Sequence, residues 1–193
     1  EIGQFARLLY VKRFGMEEKM EHPVLMFFGV FAVGVLVVWI KSIFDEKKGI
    51  DSPEKRKIEE ILQKIMQENK EFGEYVSVYA YQREDHARSS RCWYYAIALT
   101  AEKMYVVPLT FGDKEIGHAK AVVIEKDWVD KIDTGKPGGP IYFIKCTDSN
   151  GKVILDFRLE EKNTKLDKTY PVNIVQVEEA RAFMQILEQW KQK

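Results

Sequence analysis

The sequence predicts a transmembrane α-helix followed by an α+β domain with an antiparallel seven-stranded sheet and a C-terminal helix. Three observations lead to this prediction: an uncharged apolar run at residues 23–40, a change from helical to alternating hydrophobic periodicity after Glu74, and an amphipathic helical pattern at the end of the chain. The predicted segments are an N-terminal helix at 1–21, the transmembrane helix at 22–41, a linker at 42–52, a helix at 53–70 and the β-domain with its terminal helix at 72–193.

Composition and charge argue against several classes of protein. The chain has 193 residues with 30 Lys+Arg and 30 Asp+Glu, so its net charge is zero and we expect no general affinity for nucleic acid. Hydrophobic residues make up 46% of the chain, which is enough to build a core. The two cysteines, Cys92 and Cys146, form no C-x-x-C motif, which argues against a zinc ribbon and a disulfide framework.

One segment is apolar enough to be predicted as a membrane span. Residues 23–40 read PVLMFFGVFAVGVLVVWI and contain no charged side chain, as is typical of a transmembrane helix. Lysines follow the run instead of a cleavage site, so we expect a retained anchor and not a signal peptide. Lys and Arg are more numerous after the run than before it, which predicts a cytoplasmic C-terminal domain. A buried core helix is the alternative interpretation.

Two amphipathic helices are predicted on either side of this segment. In residues 1–21, apolar positions at helical spacing alternate with basic ones, which indicates a helix that lies in lipid headgroups or packs on a partner subunit. The helix at 53–70 has Ser52 or Asp51 as its cap and Pro53 at the first position, where no amide donor is needed. Its predicted buried face consists of Ile58, Ile61, Leu62, Ile65 and Met66.

Seven strands are predicted from alternating patterns rich in Tyr, Val and Ile. They are EYVSVYAYQ, WYYAIALT, KMYVVPLTF, HAKAVVIEK, PIYFIKCT, KVILDFRLE and TYPVNIVQ. Asn150-Gly151 predicts a tight hairpin turn. The residues expected to face water in the sixth strand are Asp156, Arg158 and Glu160. The terminal helix is expected to bury a stripe formed by Ala180, Phe183, Leu187 and Trp190.

This order of elements resembles the pleckstrin-homology-like (PH-like) superfold. In that superfold a bent seven-stranded sheet is plugged at one end by a C-terminal helix, and Trp190 is the candidate counterpart of a Trp in that helix. The resemblance covers roughly residues 72–193 and rests on element order. It implies a domain that works as an interaction platform. A different antiparallel α+β domain is the alternative.

The sequence offers no clear catalytic, metal or phosphate motif. The histidines are His22, His86 and His118, and none lies near a nucleophile turn such as G-x-S-x-G. The run TGKPGG at 134–139 lacks the phosphate-loop pattern and leads into a strand, so we interpret it as a hairpin loop. We therefore expect no enzymatic activity, no cofactor and no bound metal.

One basic segment is a candidate ligand site. In PH domains that bind phosphoinositides, Lys and Arg in the loop between the first two strands contact the headgroup, and the resemblance implies this position for Arg83, Arg88 and Arg91 in QREDHARSSRCW. Arginine suits bidentate phosphate contacts. However, Glu84 and Asp85 lie beside the first arginine, and the expected lysine is absent. A loop that contacts solvent or protein is the alternative.

The function predicted from these features is that of a non-catalytic accessory or assembly subunit of a membrane protein complex. The PH-like domain would bind a protein partner, and a domain held at the bilayer by a short linker would find an integral membrane protein as that partner. The alternative is a membrane-anchored module that recognises anionic lipid headgroups through the three arginines. A third is an enzyme whose site is assembled from distant residues.

Overall fold

The structure is a computed structural model, and it describes residues 35–40, 49–112, 115–135, 140–163 and 172–192. The chain divides into two units, Glu1–Lys41 and Ser42–Lys193. In the first unit, residues 35–40 are helical. The elements described below all belong to the second unit.

The transmembrane helix predicted at 22–41 is not supported by the structure, so this part of the predicted fold class is corrected. No helix in the described part of the chain is long and apolar enough to cross a membrane. The two long helices have 16 and 15 residues and both contain charged side chains, whereas a span requires ~20 largely apolar residues. Outside the described residues lie 22–34 and 41 of the predicted span, the N-terminal helix predicted at 1–21, and residues 42–48 of the linker.

The first long helix, α1, spans Pro53–Glu68. Ser52 caps it, because its Oγ accepts a hydrogen bond from the Lys55 amide at 3.1 Å. Pro53 occupies the first helical position, as the sequence predicts. The helix ends before Asn69, its C-cap. Its buried residues are the five predicted from helical spacing: Ile58, Ile61, Leu62, Ile65 and Met66.

The described residues form ten strands followed by a terminal helix. The strands are β1 (Val76–His86), β2 (Ser89–Leu99), β3 (Lys103–Phe111), β4 (Ile116–His118), β5 (Val122–Glu125), β6 (Lys131–Gly135), β7 (Ile141–Thr147), β8 (Val153–Glu160), β9 (Lys162–Asn163) and β10 (Ile174–Val175). The main sheet has the order β4-β3-β2-β1-β8-β7-β6, with β5 also beside β3, while β9 pairs with β10. All pairings are antiparallel. Helix α2 spans Val177–Lys191.

The strand pattern differs from the seven predicted strands at three places. Two strands, β4 and β5, replace the one predicted at 118–126, and they lie one after the other along the same edge of β3. Strand β6 is not among the predicted strands, because KIDTG buries Ile132 alone and has no alternating apolar pattern. The strand predicted at 169–176 contains the short β10, and residues 169–171 lie outside the described residues.

The sheet buries apolar side chains on both faces. On the inner face, residues such as Val78 and Ile97 pack with α2. On the outer face, Tyr79 and Tyr105 are among the residues that pack with α1. Neighbouring residues of a strand point to opposite faces, so β1 to β3 contribute to both clusters. This double burial accounts for the long apolar runs in the sequence of these strands.

Glu160, which the sequence places on the water-facing side of β8, is buried. It is 5% exposed, and its Oε1 accepts a hydrogen bond from Tyr81 Oη at 2.5 Å. Tyr81 comes from β1, which pairs with β8 at this point. Alternation within β8 alone could not show this burial, because the partner lies on a strand that is distant in sequence.

Candidate binding groove

The histidines considered as catalytic candidates lie on different strands. His86 ends β1, and its Nε2 is 3.6 Å from Glu84 Oε2. His118 ends β4, and its Nδ1 is 3.1 Å from the Ala119 carbonyl oxygen. His22 lies outside the described residues. Among the described residues, no group of three or more His, Cys, Asp or Glu side chains could hold a metal ion.

The segment predicted as an arginine-bearing loop is mostly strand. The β1–β2 hairpin has a two-residue turn that contains Arg88. Arg83 lies opposite Cys92 in the ladder, and Arg91 lies opposite Glu84. Because these two pairs are adjacent in the ladder, their side chains point to opposite faces of the hairpin. The hairpin therefore does not bring the three arginines together on one surface.

One of these arginines also has an acidic partner. The Nε of Arg83 donates to Asp85 Oδ1 at 2.7 Å, and this hydrogen bond raises the pKa of the guanidinium. A carboxylate in this position competes with a phosphate for the same donor. Headgroup contact by Arg83, Arg88 and Arg91 stays a prediction, and their positions do not favour it.

Both cysteines are free thiols. Cys146 is buried, and burial raises the pKa of its thiol to about 12. Cys92 is half-buried on β2. A thiol with a raised pKa is a poor nucleophile at neutral pH, so Cys146 belongs to the core and not to a reactive site.

An apolar groove lies between the start of β1 and α2. It has a volume of about 440 Å³ and is lined by Gly73, Glu74, Tyr75, Val76 and Ile186. Phe72 directly precedes these residues and is 84% exposed, more than any other large hydrophobic side chain in the described residues. We call this site the β1–α2 groove.

The segment that carries Phe72 is fixed by its neighbour. The backbone turns at Lys70, which has a positive φ of 57°. The Oε1 of Glu71 then accepts hydrogen bonds from Lys103 Nζ at 2.7 Å and from Tyr105 Oη at 2.8 Å. The bond from Lys103, followed by that from Tyr105, lowers the pKa of the Glu71 carboxyl. With Glu71 held by β3, the Phe72 ring stays outside the core.

Helix α2 begins beside the edge of β1 that faces away from β2. At the start of the helix, Gln176 Oε1 accepts from the Tyr79 N–H at 2.8 Å, and Gln176 Nε2 donates to the Tyr79 carbonyl oxygen at 2.7 Å. The same Nε2 donates to the Glu160 carbonyl oxygen at 2.7 Å. Further along the helix, Ile186 lines the groove with Val76. The Gln176 amide thus lies between Tyr79 of β1 and Glu160 of β8. The groove lies further toward the start of β1, at Gly73–Val76.

A single carboxylate lies in this groove. Glu74 is exposed and has no ion-pair or hydrogen-bond partner among the described residues. The other lining residues are Gly73, Tyr75, Val76 and Ile186. This combination suits a partner that carries an apolar side chain next to a basic one. Attraction between the basic group and Glu74 favours the correct encounter and register of the partner.

The sequence places the start of the β-domain at residue 72 but does not reveal the groove. Its walls come from the start of β1 and from Ile186, near the end of the chain. The available signal is Phe72 itself, an aromatic residue in the polar segment NKEFGE. An isolated exposed hydrophobic residue is common on protein surfaces, so this signal gains meaning only with the groove beside it.

Comparison of the chain with protein-family models, with curated proteins and with solved structures finds no match. The fold and the groove are therefore the basis for inferring function.

Proposed function

We propose that the second unit, Ser42–Lys193, is a non-catalytic protein-binding domain of the PH-like type, with the β1–α2 groove as its binding site. Two observations carry the proposal: an apolar groove of about 440 Å³ whose lining begins directly after Phe72 in the chain, and the exposure of Phe72 itself, which is 84%. Its volume lies within the ~300–1,000 Å³ of typical ligand sites. The groove is suited to binding by contact and burial, which requires no catalytic group.

The strand arrangement supports the PH-like part of the proposal. Since β4 and β5 follow each other along one edge of β3, the eight strands of the main sheet occupy seven positions. Helix α2 follows the strands and packs against the inner face of the sheet. A bent seven-stranded sheet with a C-terminal helix is what the sequence resemblance implies.

The Phe72 ring stays exposed when the domain folds, so a partner that buries the ring gains binding free energy. Burial of a large apolar side chain contributes ~1.5–3 kcal/mol, and aromatic residues dominate the energetics of many interfaces. The ring is held outside by the hydrogen bonds of Glu71 to Lys103 and Tyr105. A partner that covers the ring gains its burial without having to reorganise this segment.

The partner we propose is a protein segment with an apolar side chain next to a Lys or Arg. The apolar side chain would contact Tyr75, Val76 and Ile186, and the cation would pair with Glu74. Interaction with Glu74 at the surface adds little affinity, because exposed ion pairs contribute ~0–1 kcal/mol. Its role is to set register and to reject acidic partners.

Site-specific photocrosslinking tests the proposal in cells that express the full chain. A photoreactive residue at position 72 should form covalent adducts with a partner protein. The same residue at position 63, on the exposed face of α1, should not. We expect the adducts at position 72 to disappear when Ile186→Lys is added and to persist with Gln185→Lys, which adds the same charge one residue away on α2.

A second comparison uses exposed aromatic residues. Phe72→Ser should abolish co-purification of the crosslinked partner, and Trp128→Ser should not, although Trp128 is 56% exposed. If position 72 gives no adduct, or if Trp128→Ser removes the partner as effectively as Phe72→Ser, the groove is not the binding site.

A further inference from the structure

Strand β1 has one edge that is paired along only part of its length. It pairs with β2 from Val76 to His86, but its pairing with β8 is confined to Ala80 and Tyr81. Within the described ranges of the chain, no strand lies beside the first residues of β1 on the side away from β2. This open edge begins where the β1–α2 groove lies.

The backbone groups on the open edge follow from the contacts of Tyr79. Its N–H and C=O both bond to the Gln176 side chain, so they point away from β2. In an antiparallel pair, such outward groups recur at every second residue. The N–H and C=O of Ser77 therefore point to the same edge, where the described part of the chain offers them no hydrogen-bond partner. A backbone donor and a backbone acceptor thus lie next to the groove.

The surroundings limit how long an added chain can be. Gln176 occupies the edge at Tyr79, and the cavity between it, Ser77 and the Ile58 region of α1 has a volume of only about 10 Å³, roughly the space of one water molecule. An added strand must therefore end at Ser77. In the other direction the groove is open along Gly73–Val76. At ~3.4 Å per residue, this edge can pair with a segment of about three to five residues.

We infer that the groove binds its partner as a short extended strand, which pairs with the backbone of Ser77 and continues along Tyr75. This inference rests on the proposed function and adds the conformation and chemistry of the partner. The partner strand bonds to the open edge of β1 and places one apolar side chain against Ile186. A basic residue of the same strand pairs with Glu74. Backbone pairing provides affinity, and the side chains that alternate along the strand provide specificity.

A peptide selection tests the inference with random sequences in place of the natural partner. Displayed random peptides of about a dozen residues are selected on the immobilised full chain, with counter-selection on the Phe72→Ser variant. Phe72 is exposed, so this substitution leaves the core intact. We expect enriched peptides with an apolar residue flanked by Lys or Arg. They should bind the Gln185→Lys control normally and lose at least about tenfold in affinity for Ile186→Lys.

Backbone N-methylation of a selected peptide then separates strand pairing from groove filling. We expect N-methylation to weaken binding by about tenfold or more at alternate residues, because each blocked N–H removes a hydrogen bond and brings a methyl group against the edge. In the labelled full chain, the Ser77 amide should become protected from hydrogen exchange when the peptide binds.

The outcomes distinguish this inference from the proposed function. If N-methylated peptides bind as well as the parent and Ser77 stays unprotected, strand pairing is wrong. The groove remains the binding site in that case, provided that Phe72→Ser and Ile186→Lys still abolish binding. If no peptide prefers the native chain over Phe72→Ser, both proposals are overturned.

Discussion

At the residue scale, Gln176 performs with one side chain what a neighbouring strand does elsewhere in the sheet. It is 2% exposed, and its amide makes three hydrogen bonds to the backbone, two with Tyr79 and one with Glu160. Buried backbone groups are almost always hydrogen-bonded. A glutamine at this position therefore completes the sheet at the point where β1 and β8 separate.

Replacing Gln176 by Leu should destabilise the fold strongly. The substitution keeps the approximate size of the side chain but removes its hydrogen bonds to the Tyr79 N–H, the Tyr79 carbonyl and the Glu160 carbonyl, and leaves both Tyr79 groups unsatisfied. At ~1–3 kcal/mol for each unsatisfied buried group, we expect a loss of roughly 3 kcal/mol or more. Urea unfolding measures this loss. Gln185→Leu, at an exposed position of α2, should cost far less, and equal losses would contradict the role given to the Gln176 amide.

Glu71 should make stability depend on pH. Its pKa is lowered in the folded state by the hydrogen bonds from Lys103 and Tyr105. The carboxylate therefore contributes stability above the unfolded-state pKa, close to 4.5, and this contribution is lost as the pH falls through the lower, folded-state value. Glu71→Gln should be less stable than the native chain near pH 7 by up to about 1 kcal/mol.

The difference in stability between Glu71→Gln and the native chain should disappear at acidic pH, where the Glu71 carboxyl of the native chain is also neutral. Thermal unfolding from pH 7 to pH 2.5 measures it, and Glu102→Gln, at an exposed position without a side-chain ion pair in the described residues, is the control. A difference between Glu71→Gln and the native chain that stays constant over this range would show that the charge of Glu71 is not involved.

At the scale of elements, α2 holds the inner core together. Its buried residues are the stripe predicted from sequence, so that prediction is confirmed: Ala180, Phe183, Leu187 and Trp190. Phe183 is fully buried and meets Phe157 of β8 edge to face, with ring centroids 6.1 Å apart. Such a ring contributes through burial and through the favourable edge-to-face geometry.

Truncation of this ring should therefore be costly. We expect Phe183→Ala to lose ~3–5 kcal/mol of unfolding free energy, because the cavity is enclosed by the sheet and cannot collapse easily. Denaturant unfolding measures the loss, provided that the variant and the native chain have the same m-value. Arg181→Ala, at an exposed position of the same helix, should change stability by less than about 0.5 kcal/mol. A native-like midpoint for Phe183→Ala would show that the stripe does not face the core.

The elements that could be predicted from sequence are those whose pattern is complete within one segment. Helix α1 shows its cap, its proline and its buried face in consecutive residues, and β1 to β3 show their apolar runs. Strand β6 could not be predicted, since a short edge strand needs only Ile132 in the core. The burial of Glu160 depends on Tyr81, and the groove depends on Ile186 meeting Val76. Both are contacts between distant segments, which periodicity does not encode.

At the scale of the whole domain, one sheet contributes side chains to two hydrophobic cores, one on each face. Strands β1 to β3 face α2 on one side and α1 on the other. Helix α1 is therefore an integral part of the fold. Each core buries a fully enclosed side chain, Leu62 of α1 in one and Phe183 of α2 in the other.

This arrangement predicts that the two cores unfold in one transition and that they contribute independently to the free energy of unfolding. Leu62→Ala should cost ~2–5 kcal/mol. Because Leu62 and Phe183 belong to separate clusters on opposite faces, the double variant with Phe183→Ala should lose the sum of the two single losses within about 0.5 kcal/mol. Fluorescence and circular dichroism should report one common transition for each single variant. Separate transitions would show that α1 is an independent unit.

The short length of the open edge of β1 also has a consequence for stoichiometry. A free sheet edge in open solvent can accept a strand that offers a new edge of its own, and repetition of this step leads to fibres. The open edge of β1 ends at Tyr79, whose backbone groups bond to Gln176. A strand of about three to five residues that pairs there offers a new edge that is too short to hold a further chain. Binding at this edge therefore stops at one partner for each copy of the protein, and raising the concentration of either component produces saturation, not growth.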